Sequence, residues 1–230
     1  MDCPQNIPAR RRRQCNGRQR KRPSYRNAKP DLDHLTRVNF TTSLPKIVLA
    51  SASPRRAEIL RAAGWDFAAL PANADESLRQ GEAAATYVER VALDKARFVT
   101  AQLQTGVVAG ADTTVVIGAQ ILGKPRDATD AQEMLGVLQD RWHQVLTGIA
   151  VINCRSAQST VAHEVTRVKF APMTNAEIDW YVATGEPMDK AGAYGIQGLG
   201  ARFIERVEGD YLNVVGLPLR LLYRLVRSVA

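Results

Sequence analysis

The segment KIVLASASPRRAEILRAAGW, residues 46–65, decides how the chain begins to fold. Its apolar start predicts a buried strand at 47–50. Ser53, which is followed by proline, suits the N-cap of a helix, and Gly64 suits its end. We therefore expect a strand, a short turn and a helix over residues 54–63. Two adjacent arginines stand in the first turn of that helix, where positive charge opposes the helix dipole.

The rest of the chain alternates strand-like and helix-like patterns. A capping box, Thr174 to Glu177, opens one of the helices, which should end near Gly185. Mixed βα units and antiparallel ribbons predict an α/β fold with a mixed twisted sheet, flanking helices and two lobes. The patterns predict helices at 83–103, 128–139, 174–185 and 217–229, and strands at 107–111, 114–117, 121–122, 145–153, 159–170 and 201–207.

The strand-to-helix junction carries groups that suit an anion. A helix N-terminus presents free N–H groups and the positive end of a dipole, to which Ser51 and Ser53 add hydroxyls. Arg55 and Arg56 add planar guanidinium groups that match phosphate oxygens. An anion between them would offset the cost of arginine at this position, so we predict a phosphate cradle; the alternative is an ordinary cap followed by solvated arginines.

Other polar residues stand where ligands bind in α/β sheets. Asp112 follows the apolar strand 107–111, at the edge where such sheets carry their sites, and could be a metal ligand or a general base. Lys124, near a turn, can reach a phosphate as a point charge. Lys95 interrupts the apolar stripe of a helix, and Glu76 lies in the loop before it. Each residue alone also has an ordinary structural explanation.

Several enzyme classes lack their motifs in this sequence. It contains no GxSxG, HExxH, paired CxxC or GxGxxG, and GAQILGKP at 118–125 has proline where a phosphate loop needs Ser or Thr. Serine hydrolase, zinc enzyme and dehydrogenase are therefore poorly supported. Cations for phosphate, together with carboxylates for a hard metal, favour magnesium-type phosphate chemistry.

The net charge of +8 is confined to the beginning of the chain. Residues 1–45 carry eleven Lys and Arg against three Asp and Glu, whereas residues 46–230 carry twenty of each. We divide the chain into a basic, disordered extension, 1–45, and a folded domain, 46–230. The extension could bind nucleic acid, but we favour an accessory segment. For the balanced domain, net charge indicates no nucleic-acid partner.

Cysteine content and hydropathy limit the compartment. Three cysteines, Cys3, Cys15 and Cys154, form no disulfide framework and fit a reducing compartment, so we expect a cytoplasmic protein. No apolar run approaches the roughly 18 residues of a membrane span, and we expect no membrane partner.

Five segments together resemble the Maf family of nucleotide pyrophosphatases, whose fold is similar to that of the inosine triphosphatases. The resemblance runs in order from about Lys46 to Arg227 and leaves the basic extension outside. Its segments are LASASPRRAEIL, GADTTVV, LGKPRDATDAQEML, HQVLTGIAV and GEPMDKAGAYGIQGLGARFIERVEGDYLNVVGLPL.

The resemblance implies hydrolysis of a nucleoside triphosphate to the monophosphate and pyrophosphate, with Mg²⁺ or Mn²⁺ and as a homodimer. It implies that Asp112 is the catalytic acid and that Glu76 and Asp112 meet the metal. It places phosphate-binding roles on Arg55, with Arg56 beside it, and on Lys95 and Lys124, to which the turn itself adds Ser51 and Ser53. Specificity roles fall on Arg55, Thr113 and Gln197.

Thr113 and the intact segment DKAGAYGIQG, 189–198, resemble the dTTP/UTP branch of that family. dTTP and UTP are therefore the expected substrates, with roles in keeping modified nucleotides out of nucleic acids and in cell division arrest. The alternatives are a different base preference, such as a modified base or 7-methylguanine, and a non-catalytic protein that regulates septum formation.

Overall fold

A computed structural model describes residues 44–229, in a sheet of seven strands flanked by six helices and three 3₁₀ turns. The strands are β1 Ile47–Ala50, β2 Phe67–Ala69, β3 Val107–Ile117, β4 Gln120–Leu122, β5 Trp142–Asn153, β6 Ser159–Phe170 and β7 Ile204–Glu208. The helices are α1 Pro54–Ala62, α2 Ala84–Thr100, α3 Ala128–Leu138, α4 Asn175–Ala183, α5 Tyr211–Val215 and α6 Leu219–Val229. The 3₁₀ turns are Glu186–Asp189, Ala191–Ala193 and Leu199–Phe203.

The sheet is mixed, which confirms the predicted fold class. Its order is β2-β1-β3-β5-β6-β7, with β4 folded back on the end of β3. β1 is parallel to β2 and β3, and all other pairs are antiparallel. The chain thus combines one βαβ half with a long antiparallel ribbon.

The long strands cross between two lobes, each with its own core. In the first lobe, the early part of β3 packs with α1 and α6 on one face of the sheet and with α2 on the other. In the second lobe, the late part of β3 packs with α3, α4 and Phe170. The groove between the lobes lies beside the middle of β3.

The sequence predicts that Asp112 follows the end of a strand, but in the structure it lies within one. β3 continues without interruption from Val107 to Ile117, although its pairing with β1 stops at Gly110, opposite Ala50. Asp112 therefore lies two residues past the point where β1 ends. The edge of β3 beside Asp112 is open because β1 is short, not because β3 ends there. The sequence patterns did not distinguish these two possibilities.

Other predicted elements differ from the observed ones near their ends. The strand predicted at 201–207 begins as a 3₁₀ turn, and β7 starts only at Ile204. The last predicted helix starts at Leu219, after the separate helix α5, which the patterns missed along with the three-residue β2. These elements are too short to show a periodicity.

Two residues that precede the predicted start of the domain at 46 contact its first lobe. Leu44 packs against the core of the first lobe, and the carbonyl of Pro45 accepts a hydrogen bond from the indole of Trp65. Most of the predicted extension falls in residues 1–43, outside the described part of the chain. Across residues 44–229, no helix has the length and apolar character needed to cross a bilayer.

Two glycines let helix α2 lie directly on the sheet. A Cβ built at Gly148 in β5 would lie 2.2 Å from the carbonyl oxygen of Val88. A Cβ built at Gly110 in β3 would lie 2.1 Å from that of Ala92. Backbone atoms cannot move aside as a flexible side chain can, so this approach requires glycine at both positions.

We expect Gly148→Ala to lower the free energy of unfolding by about 1–3 kcal/mol or more, because overpacking moves α2 away from the sheet. Urea denaturation monitored by circular dichroism measures this change. Gly136→Ala is the matched control, since a Cβ there, in α3, meets no atom within 4 Å. It should stabilise the protein by about 0.5–1 kcal/mol. Equal effects at the two positions would contradict the close-approach explanation.

Candidate active site

A cavity of about 340 Å³ opens at the edge where β1 ends, and it is large enough for a small-molecule ligand. Its wall comes from both lobes: the β1–α1 turn, the middle of β3, helix α2 and the segment after α4. All ten predicted site residues line it: Ser51, Ser53, Arg55, Arg56, Glu76, Lys95, Asp112, Thr113, Lys124 and Gln197.

Lys95 joins the two acids of the cavity. Its Nζ donates to Asp112 Oδ1 at 2.7 Å and lies 2.8 Å from Glu76 Oε1. Lys95 and Asp112 are both buried, whereas the Glu76 side chain is about half exposed. The lysine that interrupts the apolar stripe of α2 therefore faces the site, on the side of the sheet where α2 contacts Gly148.

The same environment shifts the two carboxyl groups in opposite directions. Burial raises the pKa of Asp112, and the positive charges of Lys95 and Arg56 only partly offset this. For Glu76, burial would raise the pKa, but the hydrogen bond and charge of Lys95 outweigh it and the pKa is lowered. Two acids with separated pKa values suit different tasks: the raised one can exchange a proton, and the lowered one stays anionic.

Arg56 is committed to the protein's own acceptors. Its Nε donates to the Gly216 carbonyl at 2.8 Å, and its Nη1 to Ser51 Oγ at 3.0 Å and the Ala111 carbonyl at 2.9 Å. Nη2 donates to Thr113 Oγ1 at 3.0 Å. The Ala111 carbonyl lies one residue past the end of the β1–β3 pairing. Arg56 therefore replaces strand contacts that β1 is too short to make, and one of its five N–H groups is left for a ligand.

The two serines of the turn are not equivalent. Ser53 occupies the predicted N-cap position of α1, but its side chain makes no capping hydrogen bond. Ser51 Oγ instead accepts from the Ser53 backbone N–H at 3.2 Å and from Arg56. The turn is thus fixed by Ser51, which leaves the Ser53 hydroxyl available at the cavity wall.

Arg55 points to the opposite wall of the cavity, where it binds an acid that the sequence reasoning did not single out. Its Nη1 lies 2.7 Å from Asp189 Oδ2, and Lys190 Nζ lies 2.7 Å from the other oxygen of that carboxylate. Burial would raise the pKa of Asp189, but the bonds to Lys190 and Arg55 lower it to about 2. The sequence signal that could have indicated Asp189 is the adjacent acid and base, Asp189 and Lys190, within GEPMDKAGAYGIQG.

A hydrogen-bond network shapes the loop that carries Gln197. Glu186 accepts from the backbone N–H groups of Leu199 and Gly200 and from the hydroxyl of Tyr181. Gly198 has a φ of 85°, a conformation that favours glycine. The hydrogen bonds of Glu186 and the turn at Gly198 thus fix the segment next to Gln197, which lines the cavity.

Cations outnumber anions in the cavity wall, which carries the basic residues Arg55, Arg56, Lys95, Lys124 and Lys190 and the acids Glu76, Asp112 and Asp189. This balance suits a polyanion. No group of three or more potential metal-ligating side chains occurs within residues 44–229. Two carboxylates nonetheless fit Mg²⁺, which is often held by one or two acids with substrate oxygens and waters completing its shell.

Comparisons with known proteins identify the family of the chain. A family model described as "Maf-like protein" matches residues 46–229. A protein of Symbiobacterium thermophilum named dTTP/UTP pyrophosphatase is 51% identical over 176 residues, which cover 76% of this chain and 90% of that relative. A protein of Moorella thermoacetica with the same name is 50% identical over 76% of this chain and 91% of its own length.

Among solved structures, the Ham1 protein of Staphylococcus aureus is 16% identical, with a TM-score of 0.43 over 69% of this chain and 79% of that one. This score is too low to support an argument about fold or function. The family match spans nearly the whole described domain, and the relatives are about half identical along most of their length. The chain therefore belongs to the family of Maf-like proteins.

Proposed function

We propose that this protein is a hydrolase that converts dTTP and UTP to the nucleoside monophosphate and pyrophosphate. The relatives' shared name supports the substrates. The observation that carries the proposal is the buried Asp112–Lys95 pair in a cavity rich in cations. A cytoplasmic location and assembly as a homodimer stay predictions.

The basic side chains of the wall would bind the triphosphate. Three positive charges line the cavity, those of Arg55, Lys124 and Lys190. The guanidinium of Arg55 suits bidentate contact with phosphate oxygens. In the described structure Asp189 lies between Arg55 and Lys190, where a phosphate group would compete with it. Glu76 and phosphate oxygens would hold a divalent cation, Mg²⁺ or Mn²⁺, which would neutralise phosphate charge and polarise the α-phosphate. Asp112, the second predicted ligand, is then left to act as the base.

Asp112 is the group we assign to the attacking water. Lys95 holds Oδ1, so Oδ2 is the oxygen that accepts the proton. The water oxygen forms a bond to the α-phosphorus while the bridging oxygen to the β-phosphorus leaves with its electron pair. Pyrophosphate departs, and the basic residues stabilise the charge that develops on it. The raised pKa makes Asp112 a stronger base than an exposed aspartate.

Gln197 is the residue we assign to base recognition. Its amide both donates and accepts, as the imide edge of thymine and uracil requires. The Glu186 network fixes the segment on which it stands.

We expect Asp112→Asn to reduce kcat for UTP by about 10²–10⁴-fold, because the amide cannot take the proton of the attacking water. Pyrophosphate release measures turnover, and thermal unfolding checks the fold. Asp189→Asn is the matched control: the same change in the same cavity, at an acid whose pKa is too low for a base at neutral pH. It should keep kcat within about tenfold of wild type. Comparable losses in both variants would contradict the role of Asp112.

The acidic limb of kcat/KM should report Asp112. Since burial raises its pKa, activity should fall, as pH decreases, at a pH above the ordinary aspartate value of about 3.9. Lys95→Met removes the main charge that opposes burial, so this limb should move to higher pH.

Lys124→Met is the control for that shift. Lys124 contributes to the pKa of Glu76 but is absent from the causes that shift Asp112. It should lower kcat/KM and leave the midpoint of the acidic limb in place. A pH–rate profile of each variant makes the comparison; an unmoved limb in Lys95→Met would exclude Asp112 as the titrating group.

A further inference from the structure

Behind the cavity, a chain of hydrogen bonds links Arg56 to a backbone carbonyl through two threonines. Thr113 Oγ1 and Thr147 Oγ1 lie 2.9 Å apart, and Thr147 Oγ1 lies 3.1 Å from the Asn213 carbonyl oxygen. Thr113 and Thr147 are direct register partners in β3 and β5. Only Thr113 lines the cavity, because Thr147 is fully buried.

The direction of every proton in this chain follows from its two ends. A carbonyl oxygen cannot donate, so Thr147 must use its only hydroxyl proton on Asn213. Thr113 must then donate its own proton to Thr147. A guanidinium cannot accept, so the bond from Arg56 Nη2 occupies one lone pair of Thr113. Thr113 therefore retains one lone pair and no proton for a molecule in the cavity.

We propose that Thr147 holds the Thr113 hydroxyl as an acceptor-only group, which selects substrates that place a hydrogen-bond donor against it. A free threonine hydroxyl rotates and serves donors and acceptors alike. A hydroxyl that is fixed as an acceptor directs its lone pair at an acceptor of the substrate, so neither group gains a hydrogen bond. Two unpaired polar groups are costly in a buried site. Thr147 is thus a positioning residue for specificity, acting through Thr113.

This inference rests on the proposed function and narrows it. dTTP and UTP differ at the sugar 2′ position and at the base 5 position, so the donor is one that both contain. Two groups qualify: the imide N–H of the base and the 3′-hydroxyl of the sugar. Cytosine has an acceptor nitrogen in place of the imide N–H, and 3′-O-methylthymidine triphosphate has an ether oxygen, which only accepts, in place of the 3′-hydroxyl. The two analogues therefore distinguish the two sources.

The test compares kcat/KM for UTP against CTP and for dTTP against 3′-O-methylthymidine triphosphate, in wild type, Thr147→Val and Thr147→Ser. Valine keeps the shape of Thr147 and removes its hydroxyl, which frees the proton of Thr113. We expect one of the two ratios to fall by about tenfold in Thr147→Val. The serine variant keeps the hydroxyl and should retain the wild-type ratio. A merely structural role would lower all four values together and leave both ratios unchanged.

The outcomes separate this inference from the proposed function. If wild type releases no pyrophosphate from dTTP or UTP, the proposed function fails. If it does, and neither ratio changes in a folded Thr147→Val, the acceptor-only role of Thr113 is overturned.

Should Thr147→Val fail to fold, Thr113→Val provides the second test. It removes the lone pair itself, so it should lower kcat/KM for UTP and dTTP about tenfold relative to the analogue that lacks the donor. Equal losses for substrates and analogues would overturn the inference as well.

Discussion

The buried contact between Lys95 and Asp112 is the interaction on which the rest of this site depends. A lone charge in that position would be costly, by several kcal/mol, and two opposite charges stay there only if each satisfies the other. Glu76 adds a second carboxylate from the solvent side, at 2.8 Å from Lys95 Nζ. The lysine therefore holds one acid inside the protein and one at the mouth of the cavity. This difference in burial separates the pKa values of two groups that are both carboxylic acids.

Helix α2, which carries Lys95, lies directly on the strands around Asp112. Gly148 is the register partner of Asp112, and Gly110 stands two residues before it on the same strand. Both glycines meet α2 backbone, which leaves no room for a side chain. The two glycines thereby seat the helix that carries Lys95 on the strand that carries Asp112. Two residues without side chains thus help to set the position of the Lys95–Asp112 pair.

Much of this was predictable from sequence, for identifiable reasons. The helix at 54–62 has a serine at its N-cap position, proline at its first position and a glycine after it, and each signal is local. The hairpin at Gly118 and the capping box at Thr174 are equally local. The uninterrupted course of β3 past Asp112 was not predictable, since it depends on pairing with β5, thirty-odd residues later. Asp189 was missed because its partner Arg55 is 134 residues away in the chain.

The two adjacent arginines show the limit of reading residue type alone. Successive helical residues point in directions about 100° apart. Arg55 therefore reaches across the cavity to Asp189, whereas Arg56 turns beneath it toward β3. The guanidinium of Arg55 thus faces the cavity, whereas that of Arg56 donates to the protein's own acceptors. Arg56 donates to Thr113 from one side and Thr147 accepts from it on the other, so under the proposed acceptor-only role the buried arginine would influence a ligand through the hydroxyl that it helps to orient.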